Sequence, residues 1–340
     1  MKSFVKLTVI LSIVTIINSC NHSTEPEPQP GRRDYTWTVD TINPGKEFLY
    51  LGNMWGSNAS DVWAVGASSW SATSIWHYNG IKWSCDSIPR SVDPSAIFGF
   101  SSNNLWLGNN NSKIWHYNGI EWQKFGEYKI EGFNNVIINH FDGNKWNNIY
   151  GVGGVDNSNT YKAIIMKFNG NNWQFMNIPD TKVGFETVAV ENNSGVLVIS
   201  GTVYDPQGFV GKIYSWDGKV LKELLSGYWL PFITKIDNEI FATFHSKIYK
   251  YSNKQLTLWK DNTGTGINGN IICGRNKNDF FIVASNGIAH YNGTDFKTLY
   301  SIESEHQIEI GIGSIFEKDV FFIAVDFTTG KNLIIHGKLK

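Results

Sequence analysis

Three histidines hold one position in a repeated phrase. His77 lies in IWHYNGIKW (75–83), His116 in IWHYNGIEW (114–122) and His290 in IAHYNG (288–293). Histidine is a common metal ligand, so a shared ion is the first chemistry to consider. The spacing argues against it. The phrase returns after 39 residues, so each copy belongs to a separate structural unit. If each unit is a small sheet and the phrase its third strand, the histidines sit about 10 Å further from a common axis than the first strands, at about 4.8 Å per strand. They diverge there and cannot share an ion with bonds of about 2 Å. They are read as scaffold, and neither a metal nor a cofactor is expected.

Other reactive side chains are few. Beyond Cys20, the chain carries Cys85 and Cys273, which fall in repeats too far apart to pair and are expected as free thiols. Only four arginines occur, Arg32, Arg33, Arg90 and Arg275, too few and too scattered for the carboxylate-binding arginine cluster of sialidase-like propellers. No HExxH, GxSxG or DxDxDG pattern is present. No catalytic residue is assigned, although carboxylates in connections leave a glycosidase-type pair as an alternative. Tryptophans are more telling. Trp63, Trp76, Trp83, Trp106, Trp115, Trp122 and Trp173 occupy repeat positions and are expected to fill space between units. Trp70, Tyr204 and Trp229 have no counterpart in other units and need another explanation.

The elements that position these residues follow from the repeat. In the first copy, LYLGNMWGS, VWAVGA, IWHY and KWSCDSI read as four strands, and Asn79-Gly80 suits a type I′ hairpin between the last two. The hairpin marker recurs at 117–119, 168–170, 216–218, 251–253 and 291–293, with a large apolar residue three positions beyond each. The SDVWAVG phrase returns as NNLWLG, NNIYGVG, NEIFAT, NDFFIV and KDVFFI, and the loosest match falls at 184–202. The last unit is one strand short, and TWTVDTINP (36–44) aligns with KWSCDSIPR (82–90). The expectation is an all-β, seven-bladed β-propeller over 35–340, four antiparallel strands per blade, closed by the N-terminal strand.

Composition agrees with that architecture and limits function. Charged residues are 17 % and aromatics 14 %, with 33 glycines, a turn-rich β composition. The net charge of −1 leaves no basic footprint for nucleic acid. Residues 1–20 carry Lys2 and Lys6 before an eleven-residue apolar stretch, too short to span a bilayer, and read as a signal peptide. Its end, Ile17-Asn18-Ser19-Cys20, resembles the lipobox of bacterial lipoproteins, which implies lipidation at Cys20 and a membrane anchor. Asn21 in place of aspartate implies the outer membrane by the same resemblance. Residues 21–34, with Pro26, Pro28 and Pro30, read as an extended tether.

The phrase WGSNASDVWAVG…IWHYNGIKW resembles repeats of secreted and lipoprotein β-propellers of bacteria and is loosely similar to kelch and tectonin repeats. The resemblance implies a fold and not an activity. Variable connections on a rigid frame usually carry recognition. Those after the second and fourth strands vary most: 68–74, 154–163, 202–212 and 226–232. Trp70, Tyr161, Tyr204, Phe209, Tyr228 and Trp229 are therefore the candidate ligand-binding residues. The expected function is a non-catalytic, extracytoplasmic binding module for a protein or glycan partner, monomeric and lipid-anchored. A glycan-active enzyme with its site at the axis and a structural envelope lipoprotein are the alternatives.

Overall fold

The computed structural model describes residues 31–340 apart from 46, 158–159, 206–207, 268 and 304. It is a seven-bladed β-propeller in which every blade is a four-stranded antiparallel sheet. Blades 1 to 6 span 49–85, 94–127, 135–175, 184–227, 232–261 and 269–301. Blade 7 takes its three inner strands from 308–339 and its outermost strand from Tyr35–Ile42. That N-terminal strand pairs with Lys331–Leu339 over eight residues, from Tyr35↔Leu339 to Ile42↔Asn332. The expected closure holds, and Trp37 lies over Gly337, where an added Cβ would stand 2.7 Å from the indole.

The repeat positions explain the core. Seven apolar clusters form, one between each pair of neighbouring blades. Trp63, Trp76, Trp106, Trp122 and Trp173 are buried in them, as their repetition predicts. A blade alone leaves both sheet faces wet; stacking against two neighbours covers them, so burial requires the complete ring. Side-chain staples reinforce the contacts. Ser95 donates to the Ile138 carbonyl at 2.6 Å, and Asn139 to the Phe185 carbonyl at 2.8 Å. Thr187 accepts from the Ile233 amide at 2.8 Å, and Asn332 spans the Leu49 carbonyl and the Leu51 amide.

Two local expectations change. Asn79 does not adopt positive φ; among the pair only Gly80 does, at 89°. Tyr78 pairs with Trp83, so the turn has four residues rather than two. The Asn79 side chain accepts from the amides of Ile81 and Lys82 at 3.0 and 3.1 Å, closing an Asx turn that replaces the type I′ geometry. The markers at Asn118, Asn169, Asp217 and Asn292 do the same. A two-residue turn with both residues at positive φ appears instead at Asn253-Lys254. Second, the tether expected over 21–34 is docked at its end. Gly31 donates to the Asn278 carbonyl at 3.2 Å, and Arg33 pairs with Asp295 at 2.9 Å. Residues 1–30, including Cys20, lie outside the described residues.

Candidate binding cleft

The repeated histidines come first, because the frame depends on them. His77 bonds Asp61 at 2.7 Å, His290 bonds Asp279 at 2.8 Å and His116 bonds Asn104 at 3.0 Å, each within its own blade. His336 of blade 7 joins them, 2.8 Å from Asp319. Each ring also packs on the aromatic residue opposite it in the second strand, as in Trp63–His77 and Phe321–His336, with centroids 4.1 and 4.0 Å apart. Blade 5 substitutes a Lys250–Glu239 ion pair at the same register, and blade 3 lays Lys167 over Tyr150. The position is thus a scaffold lock in six of the seven blades; blade 4 has Ser215 opposite Val198 there. Burial would raise the Asp61 carboxyl, but hydrogen bonds from His77, Ser57 and Trp63 outweigh it and hold the pKa below the usual range.

The propeller axis holds a cavity of about 180 Å³, lined by inner-strand residues including Trp55, Phe98, Phe232 and His140. Its one lining carboxylate, Asp142, is spent on the Lys235 ammonium at 2.7 Å and the Val190 amide at 2.7 Å. Burial pushes the His140 imidazole below its ordinary pKa, so it is neutral at pH 7. The axial cavity is therefore lined by aromatic rings and a satisfied ion pair.

A larger cleft, about 470 Å³, opens on the face formed by the connections after second and fourth strands. It spans blades 4 to 6. Trp229 and Leu230 come from the connection that follows Leu221–Gly227. His245 and Ser246 come from the turn between Glu239–Phe244 and Lys247–Ser252. Thr263, Gly264, Gly269 and Asn270 form the opposite wall. Trp229 is 57 % exposed and rests on His245, with centroids 4.5 Å apart. Tyr228 and Leu230 are exposed beside it. The shelf depends on a glycine: a Cβ on Gly211 would meet the Trp229 carbonyl oxygen at 1.9 Å and Pro231 at 2.4 Å.

The six candidates separate on the structure. Trp229 lines the cleft, and Tyr228 is exposed beside it. Phe209 is exposed on blade 4, in a hairpin that projects from the same face. The segment 202–212 reads as a loop in the sequence, yet strands continue through it, with Tyr204 paired to Phe209 and Asp205 to Gly208. The Tyr204 side chain lies outside the described residues. The segment 154–163 behaves likewise, pairing Asp156 with Tyr161. Tyr161 is half-buried over Gly154 and Gly184, and burial with the nearby Glu186 charge pushes its pKa up to about 12. It packs the frame and does not reach the cleft. Trp70 is exposed on blade 1, at the head of a short 3-10 turn, and is absent from the cleft lining.

Sequence reasoning missed His245 and Thr263, which lie in connections without repeat counterparts, and Asn270, at the start of the first strand of blade 6; none offers a pattern to read. Cys85 and Cys273 are free, as expected, and burial pushes the Cys273 thiol up to about 12.

No protein-family model matches the sequence, and no curated protein matches it. Solved structures do match in fold. One is YCF48 bound to D1 peptide, at 11 % identity and TM-score 0.61, covering 92 % of this chain and 98 % of that one. YCF48 from Cyanidioschyzon merolae gives 13 % identity and TM-score 0.58, over 88 % and 98 %. The Cps50 (Swd1) beta-propeller domain of Myceliophteria thermophila gives 8 % and 0.60, over 88 % and 99 %. At these identities the likeness establishes the propeller architecture alone.

Proposed function

We propose that the protein is a non-catalytic binding module that holds a polypeptide segment of a partner in the Trp229 cleft. The observation that carries this reading is the cleft itself: an open depression of about 470 Å³ edged by a 57 % exposed tryptophan, with no carboxylate among its lining residues. An exposed indole beside Tyr228 and Leu230 offers a large, rigid contact area at low entropy cost. Hydrolysis needs an acid–base pair, and the carboxylate on the axis is tied to Lys235. YCF48, similar in fold, is bound to a D1 peptide, so a propeller of this kind accommodates a polypeptide ligand. We place the protein outside the cytoplasm, anchored in the outer membrane through lipid on Cys20, on the strength of the 17–20 junction.

The test is a screen of peptide and glycan arrays with wild-type protein and Trp229→Ala. Peptide hits that vanish in the variant support the reading. Glycan hits alone, or peptide hits indifferent to Trp229, overturn it. Metabolic labelling with palmitate tests the anchor separately: Cys20→Ala is expected to abolish the label.

A further inference from the structure

The two faces of the ring differ in charge, and the chain enters on one of them. Gly31–Asp34 lie on the face of the short hairpin turns: Gly31 bonds Asn278 in one such turn of blade 6 and Arg33 bonds Asp295 in another. That face carries Lys82, Lys145, Lys219, Lys254, Lys297 and Lys318, from six different blades, all exposed and with no ion pair among the described residues. Its exposed carboxylates without ion pairs among the described residues are fewer, Glu121, Asp217, Asp237 and Glu317. The cleft face reverses the balance. Glu131, Glu303, Glu305 and Glu309 stand exposed there with no ion pair among the described residues, against Lys182 and Lys331.

We propose that the anchored protein stands with its lysine-bearing turn face on an anionic lipid surface and its Trp229 cleft pointing away from the bilayer. This rests on the reading of Cys20 as the lipidated residue. Cys20 is eleven residues from Gly31, a span of at most roughly 40 Å. Emerging from the turn face, that length reaches a bilayer directly. To set the cleft face on the bilayer it would first run back along the depth of a blade, about 26 Å for eight strand residues. The cleft-face carboxylates would then meet anionic headgroups, which repel them, whereas lysines near the surface are attracted. Entry point and charge thus select the same orientation, and it leaves the cleft open to a partner.

The experiment uses the full lipidated chain in phosphatidylethanolamine–phosphatidylglycerol vesicles carrying a headgroup acceptor dye. A donor is attached through Lys254→Cys or Tyr228→Cys, each in a Cys85→Ser background. Transfer from position 254 is expected to exceed that from position 228 several-fold; equal or reversed transfer overturns the proposal. Replacing the six lysines by glutamate is expected to erase the difference, and to lower flotation of the unlipidated protein with the same vesicles roughly tenfold or more. If mass analysis shows no lipid on Cys20, the anchor reading fails on its own. Salt-sensitive flotation of unlipidated protein then still supports the face assignment, and its absence overturns it. Phosphatidylcholine vesicles are expected to float neither form of the unlipidated protein.

Discussion

At the scale of single residues, two side-chain classes divide frame from function. Trp229 is exposed and touches little besides His245, so its removal costs the fold little. Truncating a central aromatic in an interface costs about 2 kcal/mol or more, close to thirtyfold in affinity. Trp229→Ala is therefore expected to weaken a bound peptide about thirtyfold by titration calorimetry while the melting temperature shifts by no more than about 2 °C. The buried histidines carry the opposite signature. Burial lowers the pKa of His290, with the Asp279 bond opposing it; burial alone lowers that of His116, and burial with the Lys235 charge lowers that of His140 against the Asp142 charge. A histidine whose folded pKa lies below the unfolded value of about 6.5 takes up protons on unfolding, so stability falls as pH drops below that value. Asp279 is held low by His290 and Arg275 against the effect of burial, so its contribution is lost only in acid below the ordinary carboxylate range. The melting temperature should be flat above pH 7 and decline from about pH 6.5 towards 5. A flat profile across that window would show that the buried rings are charged in the fold or bind protons equally when unfolded.

At the scale of elements, the strands were legible because their apolar positions alternate and recur. The register Tyr78↔Trp83, Tyr117↔Trp122 and Phe168↔Trp173 follows the marker and the residue beyond it. The partner of each histidine also stood in the text: Asp61, Asn104, Asp279 and Asp319 open the same phrase in their blades. Pairing them needed the strand register, which periodicity alone does not supply. The turns were misread because Asn-Gly fits both a type I′ turn and an Asx turn, and only the residues that follow decide between them. The projecting hairpins were misread because proline and glycine mark a turn wherever it falls, at a strand end or at a ladder's tip. The cleft was half legible: its exposed aromatics stood out as unrepeated, but its far wall, 263–270, is polar and glycine-rich with no period. One element decides the shelf. Gly211 lies under the Trp229 carbonyl oxygen, 1.9 Å from where a Cβ would be, so Gly211→Val must push the 228–231 segment off blade 4. Peptide binding should be lost in that variant with a melting point lowered by several degrees, whereas Gly218→Ala, which meets nothing within 4 Å and costs only the strain of its φ of +94°, should retain binding.

At the scale of the whole molecule, stability depends on closing the ring. Without Tyr35–Ile42, blade 7 would keep three strands and the outer edge of Lys331–Leu339 would lie open. The lost segment does more than pair. Tyr35 packs edge-on to Phe281 at 5.6 Å and accepts from Arg275 at 3.0 Å, and Trp37 meets Tyr300 at 5.5 Å, so blade 7 is tied to blade 6. Arg33 reaches the His290 carbonyl at 3.0 Å, and Gly31 lies so close to Asp279 and His290 that a Cβ would stand 2.6 Å from the carboxylate. Removing a large aromatic from such packing costs about 3–5 kcal/mol, a substantial part of the 5–15 kcal/mol typical of a folded domain. Deleting residues 21–42 is therefore expected to lower the melting temperature by well over 10 °C. The bared edge should also cause concentration-dependent association in sedimentation velocity, because unpaired backbone groups seek another strand. A synthetic peptide of residues 31–42 binds only the folded, open ring, so it should raise the melting temperature with its concentration, by RT ln(1 + [L]/Kd) in free energy. A peptide of the same composition in scrambled order lacks the register of Tyr35 and Trp37 and should not. If the deletion variant melts like the intact chain, or the scrambled peptide rescues equally, the N-terminal strand does not close the ring.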